Sequence, residues 1–332
     1  KRKMFSSFLS AIAFIRTPPP LAGAPQRMHP VPHAPRVSPR VTCAYLLAAP
    51  VELHVVDAGS RVESAAPPVV ILHGLFGAGG NFGTWAAQLA KACIDNGDPR
   101  RILLADLRNH GASDHASEMG FAEMAADVIG MLDAQRIERA VVCGHSIGGK
   151  VAMAVALLYP QRVERLLVLD MAPIAYEPDE PQWEAIRTVV HAMRSVKLEL
   201  VLTKRDVDKT LARSVTDPGM RAFVMMNLVR NPTGSFRWRV NLKAIADSLP
   251  MLIDWNIDGY EPGTSPMFGG NTLFVAGGKS RFLRSSHLPA IEQNFERFAL
   301  QTVRNADHWI HADEPEALVL IASNFLRVSS KV

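Results

Sequence analysis

From Val51 onward the chain alternates short, nearly all-apolar runs with longer stretches of helical character, and this alternation narrows the folds open to it more than any other feature. The runs are Val69–Leu72, Arg101–Ala105, Ala140–Cys143, Leu166–Leu169 and Thr272–Ala276, with another at Ala299–Val303. Helical stretches lie between them near Trp85–Asp95, Phe121–Gln135 and Lys150–Tyr159. Strands without polar alternation are covered on both faces. Strand and helix in alternation predict a mostly parallel α/β sheet with helices on both faces.

The rhythm lapses between Ile174 and Met267. Pro173 marks one end of this stretch, and Pro262, Gly263 and Pro266 mark the other. Amphipathic segments such as Trp183–Val196 and Val240–Leu249 predict a helical insertion over about 174–267. It would emerge beside the carboxyl ends of the strands, where α/β sheets bind ligands, and reads as a lid. Its Trp183, Met193, Phe223, Met225, Met226, Phe236 and Trp238 either line an acyl-chain tunnel or pack the lid helices onto the core.

Seven of the 36 basic residues, and none of the 32 acidic ones, precede Glu52. The remainder is slightly acidic and lacks the basic field a nucleic-acid binder needs. Residues 1–43 combine Arg, Ser, Ala and repeated Pro without an acid, the pattern of an organellar transit peptide, a mitochondrion ahead of a plastid. A secretory signal and a disordered tail are the competing readings; without a transit peptide the address is cytoplasmic. Three cysteines at unrelated spacings suggest neither a disulfide framework nor a metal site. Phe8–Ile15 is too short to span a bilayer, and no later apolar stretch is long enough.

Gly144-His145-Ser146-Ile147-Gly148 leaves a buried run and opens an Ala- and Val-rich helix. A serine on a sharp strand-to-helix turn is exposed as a nucleophile, and the close packing around such a turn requires glycine two residues before and two after. A general base should follow the last strand, and Asn305-Ala-Asp-His-Trp-Ile-His311 lies there. His308 is the candidate and His311 the runner-up, ahead of a helix capped by Asp313 with Glu316 three residues on. The turn after Ala276 contains no acid, whereas Asp170 stands at the carboxyl end of the preceding strand, the end that carries Ser146. Asp170 is therefore the acid that would hold the base in the correct tautomer. Asp307 adjoins His308, and neighbouring side chains diverge. The Gly-rich turn after Leu72 offers a backbone N–H to a developing oxyanion, from Leu75 or alternatively Phe76, with Ile147 as the second donor.

His73-Gly-Leu-Phe-Gly77, Asp106-Leu-Arg-Asn-His-Gly111, Gly144-His-Ser-Ile-Gly-Gly-Lys150 and Asp170-Met-Ala-Pro173 together resemble one branch of the α/β-hydrolases. That branch contains alpha/beta-hydrolase domain-containing protein 11 and related bacterial esterases, and the similarity runs from about residue 51 to the C-terminus. It implies the α/β-hydrolase fold over 51–332, with the triad acid on the strand after the nucleophile helix, as at Asp170. It also implies cleavage of carboxyl esters, acylglycerols or acyl thioesters among them, and an organellar address. The chemistry needs no cofactor or metal, and the expected partner is a small acyl ester or thioester. A receptor or scaffold on the same fold, or a carbon–carbon bond hydrolase, is the competing reading.

Overall fold

The structure is a computed structural model and describes residues 49–58, 64–257 and 267–327. The segment read as a transit peptide or tail lies outside the described residues.

The first half of the domain runs through β1 (Val55–Asp57), β2 (Val69–Leu72), α1 (Gly83–Asp95), β3 (Ile102–Ala105), α2 (Phe121–Ala134), β4 (Ala140–His145), α3 (Ile147–Leu158) and β5 (Val163–Leu169). An insert follows, with α4 (Pro181–Ser195), α5 (Lys204–Leu211), α6 (Pro218–Met225), β6 (Leu228–Arg230), β7 (Phe236–Trp238) and α7 (Leu242–Ile253). The chain returns through β8 (Phe268–Gly277), α8 (Leu288–Asn294), β9 (Phe295–Val303), α9 (Ile310–Asp313) and α10 (Pro315–Leu326). Seven of the described strands form one sheet in the order β1-β3-β2-β4-β5-β8-β9, parallel except where β1 pairs antiparallel with β3. The expected mostly parallel α/β architecture is what the chain builds.

The all-apolar runs are explained by two cores, one on each face of the sheet. Along β2, Val70 and Leu72 face the core that contains Val128 of α2 and Val151 of α3, whereas Val69 and Ile71 face the core that contains Trp85 and Leu89 of α1. Every residue of β2 is buried, so none can be polar without a partner. Truncating Leu72 to Ala would cost about 2–5 kcal/mol. The helix behind the elbow, α3, is buried from Ile147 through Leu157, and its Ala152, Ala154 and Ala156 let neighbouring elements approach closely.

One residue of α3 is charged. Lys150 is fully buried and donates from Nζ to the carbonyls of Leu252 at 3.3 Å, Ile253 at 2.9 Å and Asp254 at 2.7 Å, at the C-terminal end of α7. Helix-end carbonyls lack intrahelical donors and carry partial negative charge, which suits an ammonium. Phe121, Tyr176 and Trp183 surround the same nitrogen, with ring centroids 5.0 to 5.9 Å away. Lys150 thereby joins the nucleophile helix to the end of the insert.

Two sequence expectations need correction here. The insert is not purely helical, because β6 and β7 form a separate two-stranded hairpin. Asp313 does not cap the last helix. Helix α10 starts at Pro315 after Glu314, while Asp313 Oδ2 accepts the Asp307 backbone N–H at 2.8 Å and closes the loop that carries His308. Of the insert residues considered for a tunnel, Trp183, Met193 and Phe236 are buried in the main core and act as packing.

Candidate active site

The elbow is built by close approach of backbone. A Cβ on Gly144 would lie 2.0 Å from the Gly148 carbonyl oxygen, and one on Gly148 would lie 2.5 Å from the carbonyl oxygens of Leu72 and His73. No side chain fits at either position. Between them Ser146 adopts φ 55° and ψ −125°, and its N–H donates to Leu169 O at 3.0 Å. Because β4 and β5 pair in parallel with His145 opposite Leu169, the next residues on each strand, Ser146 and Asp170, leave the sheet side by side. Non-glycine residues at positive φ cost about 1–3 kcal/mol each and gather at functional sites. Ser146, Asp170 and Phe76 are three such residues, and all belong to this region.

Asp170 is fully buried, and its carboxylate accepts three hydrogen bonds. His308 Nδ1–H donates to Oδ2 at 2.7 Å, Gly277 N–H donates to Oδ1 at 3.0 Å, and the Ser280 hydroxyl donates to Oδ2. With Nδ1 holding the proton, His308 Nε2 is left as a free base. The ring is held from other sides as well. Phe282 stacks on it with centroids 4.1 Å apart, and His145, adjacent to Ser146, donates from Nε2–H to the His308 carbonyl at 2.7 Å. Burial, then the neighbouring His308 and His311 rings, push the His145 pKa well below its ordinary value and keep it a neutral donor.

Asp307 turns its Oδ1 onto the His308 backbone N–H at 2.8 Å. The alternative base, His311, stacks on Phe82 with centroids 4.0 Å apart, and burial lowers its pKa to about 4. Of the two histidines, His308 is the one bonded to Asp170.

The loop after β2 presses on the nucleophile, since a Cβ on Gly74 would lie 3.1 Å from Ser146 Cβ. Phe76 N–H is already engaged, donating to His110 Nε2 at 3.1 Å, so of the two N–H groups considered on this side Leu75 remains the candidate. Ile147 opens α3, where a backbone N–H has no acceptor within the helix. Among the described residues no group of three or more His, Cys, Asp or Glu could hold a metal ion. No described helix is long and apolar enough to cross a membrane.

The sequence alone singles out neither Ser280 nor Phe282. Ser280 carries a visible signal, since it stands in the acid-free turn after Ala276. Phe282 is set by its stack on His308, a contact that no spacing encodes.

Known proteins resemble this chain in sequence and in fold. The chain is 35% identical over 268 residues to the mouse (Mus musculus) "sn-1-specific diacylglycerol lipase ABHD11", covering 80% of this chain and 82% of that protein. It is 27% identical over 259 residues to "Esterase YbfF" of Escherichia coli, covering 78% of this chain and 92% of that one. Among solved structures, a "Marine microorganism esterase" superposes with a TM-score of 0.73 at 28% identity, over 83% of this chain and 99% of its own. The sequence pattern of the alpha/beta hydrolase fold family matches residues 67–315, from the start of β2 into α10, and the protein belongs to that family.

Proposed function

We propose that this carboxylic-ester hydrolase works through an acyl-enzyme formed on Ser146. Ser146 Oγ attacks the ester carbonyl carbon while His308 Nε2 takes its proton. The bond from the acyl carbon to the leaving group, C–O in an ester or C–S in a thioester, then breaks as His308 returns the proton to the departing alkoxide or thiolate. Water, deprotonated by the same nitrogen, then attacks the acyl carbon, and the acid leaves as the C–O bond to Ser146 breaks and Oγ takes the proton back. Asp170 orients the imidazole and stabilises the imidazolium, and the N–H groups of Leu75 and Ile147 receive the oxyanion. The observation that supports this reading is the 2.7 Å contact between His308 Nδ1 and Asp170 Oδ2, which a proton on Nδ1 satisfies while Nε2 serves as the base.

An ester or thioester of an apolar acyl chain, acylglycerols included, is the proposed substrate class. The relative named for diacylglycerol supports it, as does the contact of Phe223 from the insert with Trp309, the residue after His308, at 5.4 Å between centroids. In this reading the insert is a lid over the site. The test is turnover of p-nitrophenyl and thioester substrates of graded chain length by wild type and Ser146→Ala. Wild type should hydrolyse short or medium chains and the variant none. An inert wild type that binds acyl ligands would favour the receptor reading.

A further inference from the structure

The backbone donor assigned to the oxyanion sits in a turn whose shape and position are fixed separately. Its shape comes from Gly74 O, which accepts from Gly77 N–H at 3.0 Å and from His73 Nδ1–H at 2.7 Å. A peptide group is planar and trans, so fixing that oxygen aims the Leu75 N–H the opposite way. The turn from Gly74 to Gly77 has its third residue, Phe76, at φ 62°, where such turns prefer glycine or asparagine. A bulky residue stays there only when its surroundings over-determine it.

The turn's position comes from tethers outside it. His73 Nε2 accepts from Leu107 N–H at 3.0 Å. On one side of Phe76, its N–H donates to His110 Nε2; His110 Nδ1–H donates to Arg108 O at 2.9 Å, which fixes the tautomer so that Nε2 can accept. On the other side, Phe76 O accepts from Asn227 Nδ2 at 2.8 Å. Asn227 lies between α6 and β6 of the insert, is buried, and is itself tied by its N–H to Val224 O at 3.0 Å and by its carbonyl to Arg239 N–H at 2.7 Å. The insert thus reaches across 151 residues of sequence to hold the turn beside Ser146.

We propose that Asn227 and His110 are positioning residues that clamp Phe76 from both sides and so keep the Leu75 N–H on the oxyanion, making full catalysis conditional on a seated insert. The proposal rests on the serine mechanism above. A displaced oxyanion donor costs transition-state stabilisation and leaves ground-state binding nearly intact.

The test is Asn227→Asp, which keeps the shape but has no N–H for Phe76 O, together with Asn227→Ala. Steady-state kinetics on p-nitrophenyl butyrate are paired with the inhibition constant of a trifluoromethyl ketone of the same chain, which captures Ser146 as an oxyanion. We expect kcat to fall about 10- to 100-fold with KM within about threefold, and ketone affinity to weaken in step with kcat/KM. Should the Asn227 variants not fold, the opposite tether takes their place. His110→Gln, whose Oε1 can accept the Phe76 N–H, should keep most of the activity, and His110→Leu should lose it with the same signature. Loss confined to KM, ketone affinity that holds while kcat falls, or kinetics within about twofold of wild type would overturn the clamp. A Ser146→Ala enzyme that stays active would instead contradict the serine mechanism, so the two failures are distinct.

Discussion

Asp170 and His308 lie 138 positions apart in the chain and 2.7 Å apart across the site, with the carboxylate fully buried and the imidazole side chain 22% exposed. An amide in place of the carboxylate would offer His308 a donor as readily as an acceptor, and the ring could then hold its proton on Nε2. Asp170→Asn should lower kcat by roughly 10^3- to 10^4-fold with the fold intact, read by ester turnover alongside circular dichroism. Activity within tenfold of wild type would remove Asp170 from the triad.

Ser280 shares Oδ2 of that carboxylate with His308 and receives the Phe282 N–H at 3.2 Å, so it fixes the Asp170 rotamer and the turn that carries Phe282 onto the imidazole. Ser280→Ala removes one hydrogen bond to a charged acceptor, worth about 1.5–3 kcal/mol. A fall in kcat of about tenfold or more at steady KM is expected from that loss. An unchanged kcat would mean that Gly277 and His308 suffice to orient the acid.

Histidines 73 and 110 are buried as neutral rings, each accepting a backbone N–H at Nε2. Burial lowers both pKa values, and in His110 the nearby His73 helps take it down to about 3. The folded pKa lies below the unfolded value of 6.5, so the stability from His110 is fully present above pH 6.5 and is lost as pH falls toward 3. Each such group changes stability by at most about 1.4 kcal/mol per pH unit. Urea midpoints measured between pH 7 and pH 4.5 should drop for wild type and drop less for His110→Gln.

Lys150 gives the opposite end of the pH scale. Burial pushes its ammonium from 10.5 down to about 7. Between those values the unfolded chain holds a proton that the folded chain has released, so this residue makes stability rise as pH increases from about 7 toward 10.5. Below pH 7 the cost of burying the charge is fully present. Comparing urea unfolding of wild type and Lys150→Met at pH 7 and pH 9, the wild type should gain more on going to the higher pH. An equal change in both proteins would show that the three carbonyls keep Lys150 charged throughout.

The parts of the fold legible in the sequence are those set by local chemistry. Five central strands announce themselves because two cores leave them no polar face, and the elbow does so because Gly144 and Gly148 have no room for a side chain. Asp170 is legible because it stands at the end of the strand beside the elbow while the turn after Ala276 carries no acid. The edge strand β1 and the hairpin of β6 and β7 were not legible, since each strand is three residues long with part of its surface in water. Nor could the sequence reveal that Asp313 serves the His308 loop in place of a helix cap, or that Asn227 meets Phe76. Those pairings depend on how distant segments dock.

The central claim, that Ser146 carries the acyl group, is tested most directly by trapping that species. The enzyme is quenched in acid during turnover of p-nitrophenyl butyrate and its peptides are read by mass spectrometry, with Ser146→Ala run beside it. A butyryl adduct on the peptide containing Ser146, absent from the inactive variant, is the expected result. Turnover that survives in Ser146→Ala, or an acyl group found on another residue, would contradict the account.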